Sequence, residues 1–216
     1  MPICAIVGVG PRIGNGVAQA FAKRGSDIVM ISRDSSHTRE YGEAIRELGV
    51  AAHSVAFDAT DRAATHEGFQ RIIRDIGLPD VVIYNPANMV MAPFSKVSPD
   101  DMEQTWPIML YAPMNVVASV VPAMKERGSG TLLFTGGGFG IDPSVQRAPH
   151  SIAKAALRNY AHGLFLELAD AGIHAGTVTV HRPIEQGDDM ERCAQNFVAL
   201  HEEPAQSWSW EKHYGK

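Results

Sequence analysis

Short apolar runs that alternate with segments of helical period constrain this chain more than any other feature. Ile3–Val7 (ICAIV) is the first run and ends at a glycine; 28–31 (IVMI), 51–57, 80–84 (DVVIY), 130–135 (GTLLFT) and 173–180 follow. Between them the apolar residues fall at helical spacing. Val17, Ala18, Phe21 and Ala22 lead to a stop at Gly25, 38–48 leads to Gly49, and Phe69, Ile72, Ile73 and Ile76 form one face of 61–76. A strand apolar at every position must be covered on both faces, and helices between successive strands do the covering. Right-handed crossovers then predict an α/β fold with a doubly wound parallel sheet. Ligands in such sheets sit at the carboxyl ends of the strands, here the loops after Val7, Ile31, Phe57, Tyr84, Thr135 and Val180.

The remaining elements fit the same plan. Ser98-Pro99-Asp100-Asp101 supplies an N-cap, a first-turn proline and first-turn acids. The helix it opens contains Pro107, Pro113 and Pro122, which predict a kink or a break. Pro149 opens a long helix over 149–171, and a last helix over 188–201 precedes the aromatic tail Trp208-Ser-Trp210. With no repeat or linker, 1–216 reads as one Rossmann-type three-layer sandwich, and about 182–216 as a short substrate or packing segment.

Composition removes several function classes. Of 216 residues, 45% are hydrophobic and 20% charged, outside the range of disordered chains. Nineteen basic against 24 acidic residues leave a net charge of -5, so no basic face for nucleic acid is expected. Cys4 and Cys193 alone make neither a disulfide framework nor zinc-ligand spacing. No histidine pair has metal-ligand spacing with an acidic partner, so no metal is expected. The apolar start has no basic leader, and no apolar run is seen to reach membrane length. The expectation is a cytoplasmic protein with no membrane partner.

Residues 8 to 16 read GVGPRIGNG, directly after the first strand and opening a helix. There, glycines admit a pyrophosphate to the backbone and the helix start offers unpaired N–H groups. The run is not G-x-G-x-x-G, since Ile13 takes the third place, and no G-K-[ST] follows. The plain alternative is a tight turn with no ligand. The spacing resembles the T-G-x-x-x-G-x-G loop of the short-chain dehydrogenase/reductase family. Gly8 then matches its first glycine and Gly14 its last, with Arg12 in the middle glycine's place; the register Gly10, Gly14, Gly16 shortens the helix by two residues. Asp58 in FDAT, Tyr84-Asn85-Pro86-Ala87, Ser-Pro-x-Asp-Met-Glu at 98–103, Pro122-Ala-Met124, GTLLFT and Lys154-Ala-Ala-Leu157 match further family segments in order, over nearly the whole chain.

The resemblance implies a nicotinamide dinucleotide held by Gly8, Arg12, Ile13, Gly14, Ser32, Arg33, Asp58, Asn85, Lys154 and the backbone of Ile184. An NAD site wants a carboxylate at the end of the second strand, and Ser32-Arg33 stands there with Asp34 slightly late. Arg33, joined by Arg12, suits a 2'-phosphate, so NADP(H) is expected over NAD(H). Arg12 could equally obstruct the pyrophosphate.

The family's chemistry uses a serine, a tyrosine and a lysine with a supporting asparagine. Only Lys154 remains. His150 holds the tyrosine position one helical turn before it, Gly137 the serine position, Met109 the asparagine position, and His181-Arg182 replaces Pro-Gly after the sixth strand. Lys154 and His150 are the candidate catalytic residues. A neutral His150 could donate a hydrogen bond to a carbonyl oxygen, though its proton is hard to give up. Two readings follow: an NADP(H)-dependent oxidoreductase with atypical or weak catalysis on an unknown small carbonyl or alcohol, or a catalytically silent nucleotide-binding or protein-interaction member. By resemblance the chain is a homodimer or homotetramer.

Overall fold

The computed structural model describes residues 1–34 and 38–216. The apolar runs form strands β1 (Ile3–Val7), β2 (Asp27–Ser32), β3 (Ala52–Ala56), β4 (Val81–Tyr84), β5 (Gly130–Gly137) and β6 (Ile173–Val180). Helices α1 (Ile13–Ala22), α2 (Arg39–Arg46), α3 (Arg62–Asp75), α4 (Pro99–Trp106), α5 (Ala112–Arg127), α6 (Ala148–Leu168) and α7 (Asp188–His201) lie between and after them. All strands are parallel in the order β3-β2-β1-β4-β5-β6-β7, where β7 is Glu211–Tyr214. Strand order reverses between β1 and β4, which opens a crevice at their carboxyl ends.

Alternation along each strand divides the core. Cys4, Ile6, Ile28 and Met30 meet α1, α2 and α7 on one face. Ala5, Val7, Val29 and Ile31 face the layer of α3, α5 and α6 on the other. Both faces are buried, which is why the runs are continuously apolar.

Three expectations are corrected. Of the kink or break expected in the proline-rich helix, the break is not found: α4 passes through a π segment, Pro107–Tyr111, into α5. The Ala112 N–H reaches back to the Pro107 carbonyl, and Pro113 has no N–H to give Ile108. The Tyr84 hydroxyl fills that orphaned Ile108 carbonyl instead, at 2.6 Å. Second, the resulting rod, Pro99–Arg127, has 29 residues and is long and apolar enough to cross a bilayer by length and composition. Its Val116, Val120 and Met124 are buried against the sheet. Third, the tail forms the unforeseen edge strand β7, which pairs with β6 from Thr177↔Glu211 to Val180↔Tyr214. Its sequence, EKHY, has no apolar run to announce it. The tail tryptophans stack on histidines, Trp208 on His174 at 4.8 Å and Trp210 on His162 at 4.2 Å.

Candidate active site

The loop from β1 to α1 is shaped by contacts that allow no side chain at two positions. Gly8 has φ +83, and a Cβ there would lie 2.6 Å from Pro86 Cγ. A Cβ on Gly14 would lie 2.6 Å from the Gly8 carbonyl oxygen and 2.9 Å from Val9 Cα. In the loop the steric need therefore falls on Gly8 and Gly14, and in α1 on Gly16, where a Cβ would lie 2.5 Å from Met190 Cγ, whereas Gly10 has nothing within 4 Å. Arg12 is the N-cap of α1, makes no side-chain cap and is exposed. Among the described residues the Ile13 and Gly14 N–H groups have no partner within the chain. Two free donors at the start of a ten-residue helix, against backbone pressed close by glycine, are a donor set that fits a dinucleotide pyrophosphate.

A cleft of about 590 Å³ runs from this loop across the ends of β4, β5 and β6 to the start of α6. Of the residues singled out in the sequence, Arg12, Ile13, Gly14, Asn85, His150, Lys154 and Ile184 line it. Gly8, Ser32, Arg33 and Asp58 do not. Gly8 shapes the loop from behind. The Ser32 hydroxyl donates to the Asp34 carbonyl at 2.7 Å, and Asp58 accepts from the Thr60 N–H and hydroxyl at 2.9 and 2.8 Å, closing the turn that leads to α3. Arg33 is exposed at the end of β2. Asn85 ties three strands together: its N–H donates to Val7, its Nδ2 to the Gly8 carbonyl at 2.8 Å, and its Oδ1 accepts from the Thr135 hydroxyl at 2.9 Å.

At the far end Lys154 is only 4% exposed. Its Nζ donates to the Thr135 carbonyl at 2.5 Å, and burial without a carboxylate lowers its pKa to about 8. One turn earlier His150 is 7% exposed. Its Nδ1 lies 3.0 Å from the Asn88 carbonyl. A carbonyl only accepts, so Nδ1 carries the proton and Nε2 of the neutral ring is bare. That corrects the expected donor role: neutral His150 offers the cleft an acceptor. Nε2 has no partner among the described residues and stays open to the cleft. Burial is the largest influence on this ring and, with the nearby Lys154 and Arg147 charges, lowers its pKa despite the opposing Asn88 hydrogen bond.

The family model for short chain dehydrogenases matches residues 2–181. The chain belongs to the short-chain dehydrogenase family. It is 24% identical to human 17-beta-hydroxysteroid dehydrogenase 13, over 79% of this chain and 57% of that protein, and so spans under two thirds of the human relative's length. Cyclohexanol dehydrogenase of a Rhodococcus species is 26% identical over 82% of this chain and 72% of its own. A metagenomic short-chain oxidoreductase solved in complex with NADP superposes with a TM-score of 0.88 at 20% identity, covering 99% of this chain and 96% of that one.

Compared with the short-chain dehydrogenase pattern, three successive glycines stand where the hydroxyl was expected, and their surroundings explain them. A Cβ on Gly136 would lie 2.6 Å from the Thr177 hydroxyl, and one on Gly138 would lie 2.7 Å from His181 Nδ1. At Gly137 it would meet three carbons of the Lys154 stem at 3.3 Å. The space beside β5 is taken by β6 and α6. Met109 is fully buried in the π segment, and Asn115 donates to the Ala59 carbonyl at 3.1 Å, outside the cleft lining. Arg182 does not fill the cleft: Asp189 grips its guanidinium with bonds of 2.9 and 2.5 Å.

Sequence reading named His181 only as a departure from Pro-Gly and missed Phe139, Arg147 and Asn88. His181 shares a 2.9 Å contact with His213, which only the unforeseen β7 brings into reach. Phe139 and Arg147 enter from the loop after β5. Asn88, which fixes the His150 tautomer, sits 62 residues upstream of it and carries no sequence signal of that role.

Proposed function

We propose that the protein is an NADP(H)-dependent oxidoreductase acting on a small alcohol or carbonyl, with His150 as proton acceptor in place of the family's tyrosine. The observation that carries this reading is the tautomer of His150, a bare Nε2 facing the cleft one turn from a buried lysine. Bound, a nicotinamide supplies the hydride chemistry. An alcohol that gives up hydride must also give up its hydroxyl proton, and Nε2 accepts it. The imidazolium that forms keeps its Nδ1–H on the Asn88 carbonyl, so the ring does not turn during the transfer. Lys154, fixed on the Thr135 carbonyl, has two further N–H groups with which to hold a ribose hydroxyl or the substrate oxygen.

The preference for the phosphorylated cofactor rests on Arg33 and Arg12, with Ser32-Arg33 rather than a carboxylate at the end of β2. The reading includes a cytoplasmic homo-oligomer. Buried, free Cys4 and Cys193 suit a reducing compartment, and exposed Tyr111, Met114 and Leu166 on the helices beside β5 suit subunit contact.

The test is the pH dependence of NADP+ reduction with secondary alcohols. His150 must be neutral to accept a proton, so the rate rises with pH through a midpoint below the ordinary histidine value. It falls again above about 8, where Lys154 loses its charge. NADPH binding with no turnover at any pH would favour the silent member instead.

A further inference from the structure

The cleft holds more positive charge than a dinucleotide and a neutral substrate would use. In a chain of net charge -5, Arg12, Arg147, Lys154 and Arg182 line it, and no aspartate or glutamate does. Two of the four have acceptors within the chain, and a third stands where a dinucleotide phosphate would meet it. Arg12 stands at the glycine loop, Lys154 is fixed on the Thr135 carbonyl, and Arg182 is neutralised by Asp189. Arg147 is not. It is half-buried, and among the described residues no carboxylate or carbonyl accepts from its guanidinium.

What holds Arg147 in the cleft is an aromatic ring. Its guanidinium carbon lies 5.4 Å from the centre of Phe139, and Phe139 meets the His150 ring edge-on at 6.1 Å. Stacking fixes the plane of a guanidinium while leaving its N–H edge free, and that edge matches a carboxylate. Arg147 and His150 sit three residues apart at the start of α6, at the end of the cleft away from the glycine loop. Met89 lines the cleft, and exposed apolar side chains lie on the neighbouring loops. Met89, Met91, Ile141 and Val145 are 46 to 67% exposed on the loops after β4 and β5. These loops are joined by the Ala92↔Arg147 bridge and by the Ala148 N–H on the Ala92 carbonyl at 2.9 Å.

We propose that the substrate is an apolar alcohol or ketone that carries a carboxylate, with the carboxylate on Arg147, the apolar body against Met89 and Phe139, and the reacting oxygen at His150 Nε2. This rests on reading the cleft as an oxidoreductase site. The observation beneath it is independent: a cation set over an aromatic ring, with no acceptor among the described residues, in a cleft lined by no aspartate or glutamate.

The experiment uses paired ligands of equal shape: 4-acetylbenzoate with its methyl ester, and octanoate with octanamide. Each is titrated by calorimetry onto the full chain, free and after saturation with NADP+, for the wild type, Arg147→Gln and Arg147→Lys. The carboxylates are expected to bind roughly tenfold more tightly than their neutral partners. Arg147→Gln brings the pairs within about twofold, and Arg147→Lys keeps part of the preference. Absence of the preference in the wild type, or its survival in Arg147→Gln, overturns the proposal. So does a fall in NADP+ affinity in Arg147→Gln, which would put the guanidinium on the cofactor. Failure of either dinucleotide to saturate the wild type overturns the cofactor reading alone, because the carboxylate pairs are also compared on the free protein.

Discussion

The two ends of the cleft are built from different materials. At the dinucleotide end, backbone does the work: Gly8 and Gly14 clear space, and the first N–H groups of α1 stand free. At the α6 end, side chains do it: Lys154 on Thr135, His150 on Asn88, Arg147 on Phe139. Backbone donors need only a permissive neighbour, so a glycine loop tolerates Arg12 in its middle without closing. A side-chain constellation depends on every member. A side chain at position 137 would press on the Lys154 stem at 3.3 Å, and in the proposed reading the proton chemistry falls to His150. One half of the site thus rests on backbone shape, and the other on side chains that differ from the family pattern.

That contrast can be broken at the backbone end first. Gly14→Val forces carbon into the Gly8 carbonyl and is expected to cost about 3 kcal/mol of stability, with dinucleotide binding lost. Thermal melting and NADPH fluorescence check both effects. A smaller effect sharpens cofactor choice: Arg33→Ala is expected to weaken NADPH roughly tenfold and leave NADH unchanged, read from paired fluorescence titrations. Equal weakening of both would remove Arg33 from the 2'-phosphate. The smallest effect lies at Gly10, where an added methyl meets nothing within 4 Å. Gly10→Ala is expected to change stability by less than about 0.5 kcal/mol and to leave both affinities as they were.

The same division decides what could be read from the sequence. Six strands were legible because sheets buried on both faces demand unbroken apolar runs. The edge strand β7 was not, since EKHY buries little and owes its place to pairing with β6. The π segment was foreseen only as a disturbance, because its rescue depends on a tyrosine from β4 that no local pattern connects to Pro113. In the site, the glycines and Lys154 could be read from spacing along one loop and one helix. The direction of the His150 proton could not, because it is set by a carbonyl from the loop after β4. Arg147 could not be read for the same reason: its significance comes from Phe139 beneath it and from a cleft lining without aspartate or glutamate.

The most direct test of a site with two separable halves is His150→Phe, measured for cofactor affinity and for turnover in the same preparation. The phenyl ring fills the imidazole's place without a base. The account predicts an NADPH dissociation constant within about twofold of the wild type and a loss of alcohol-dependent NADP+ reduction of roughly a hundredfold or more. Undiminished turnover in the variant, a parallel loss of cofactor binding, or a wild type that binds NADPH and oxidises no alcohol would contradict it.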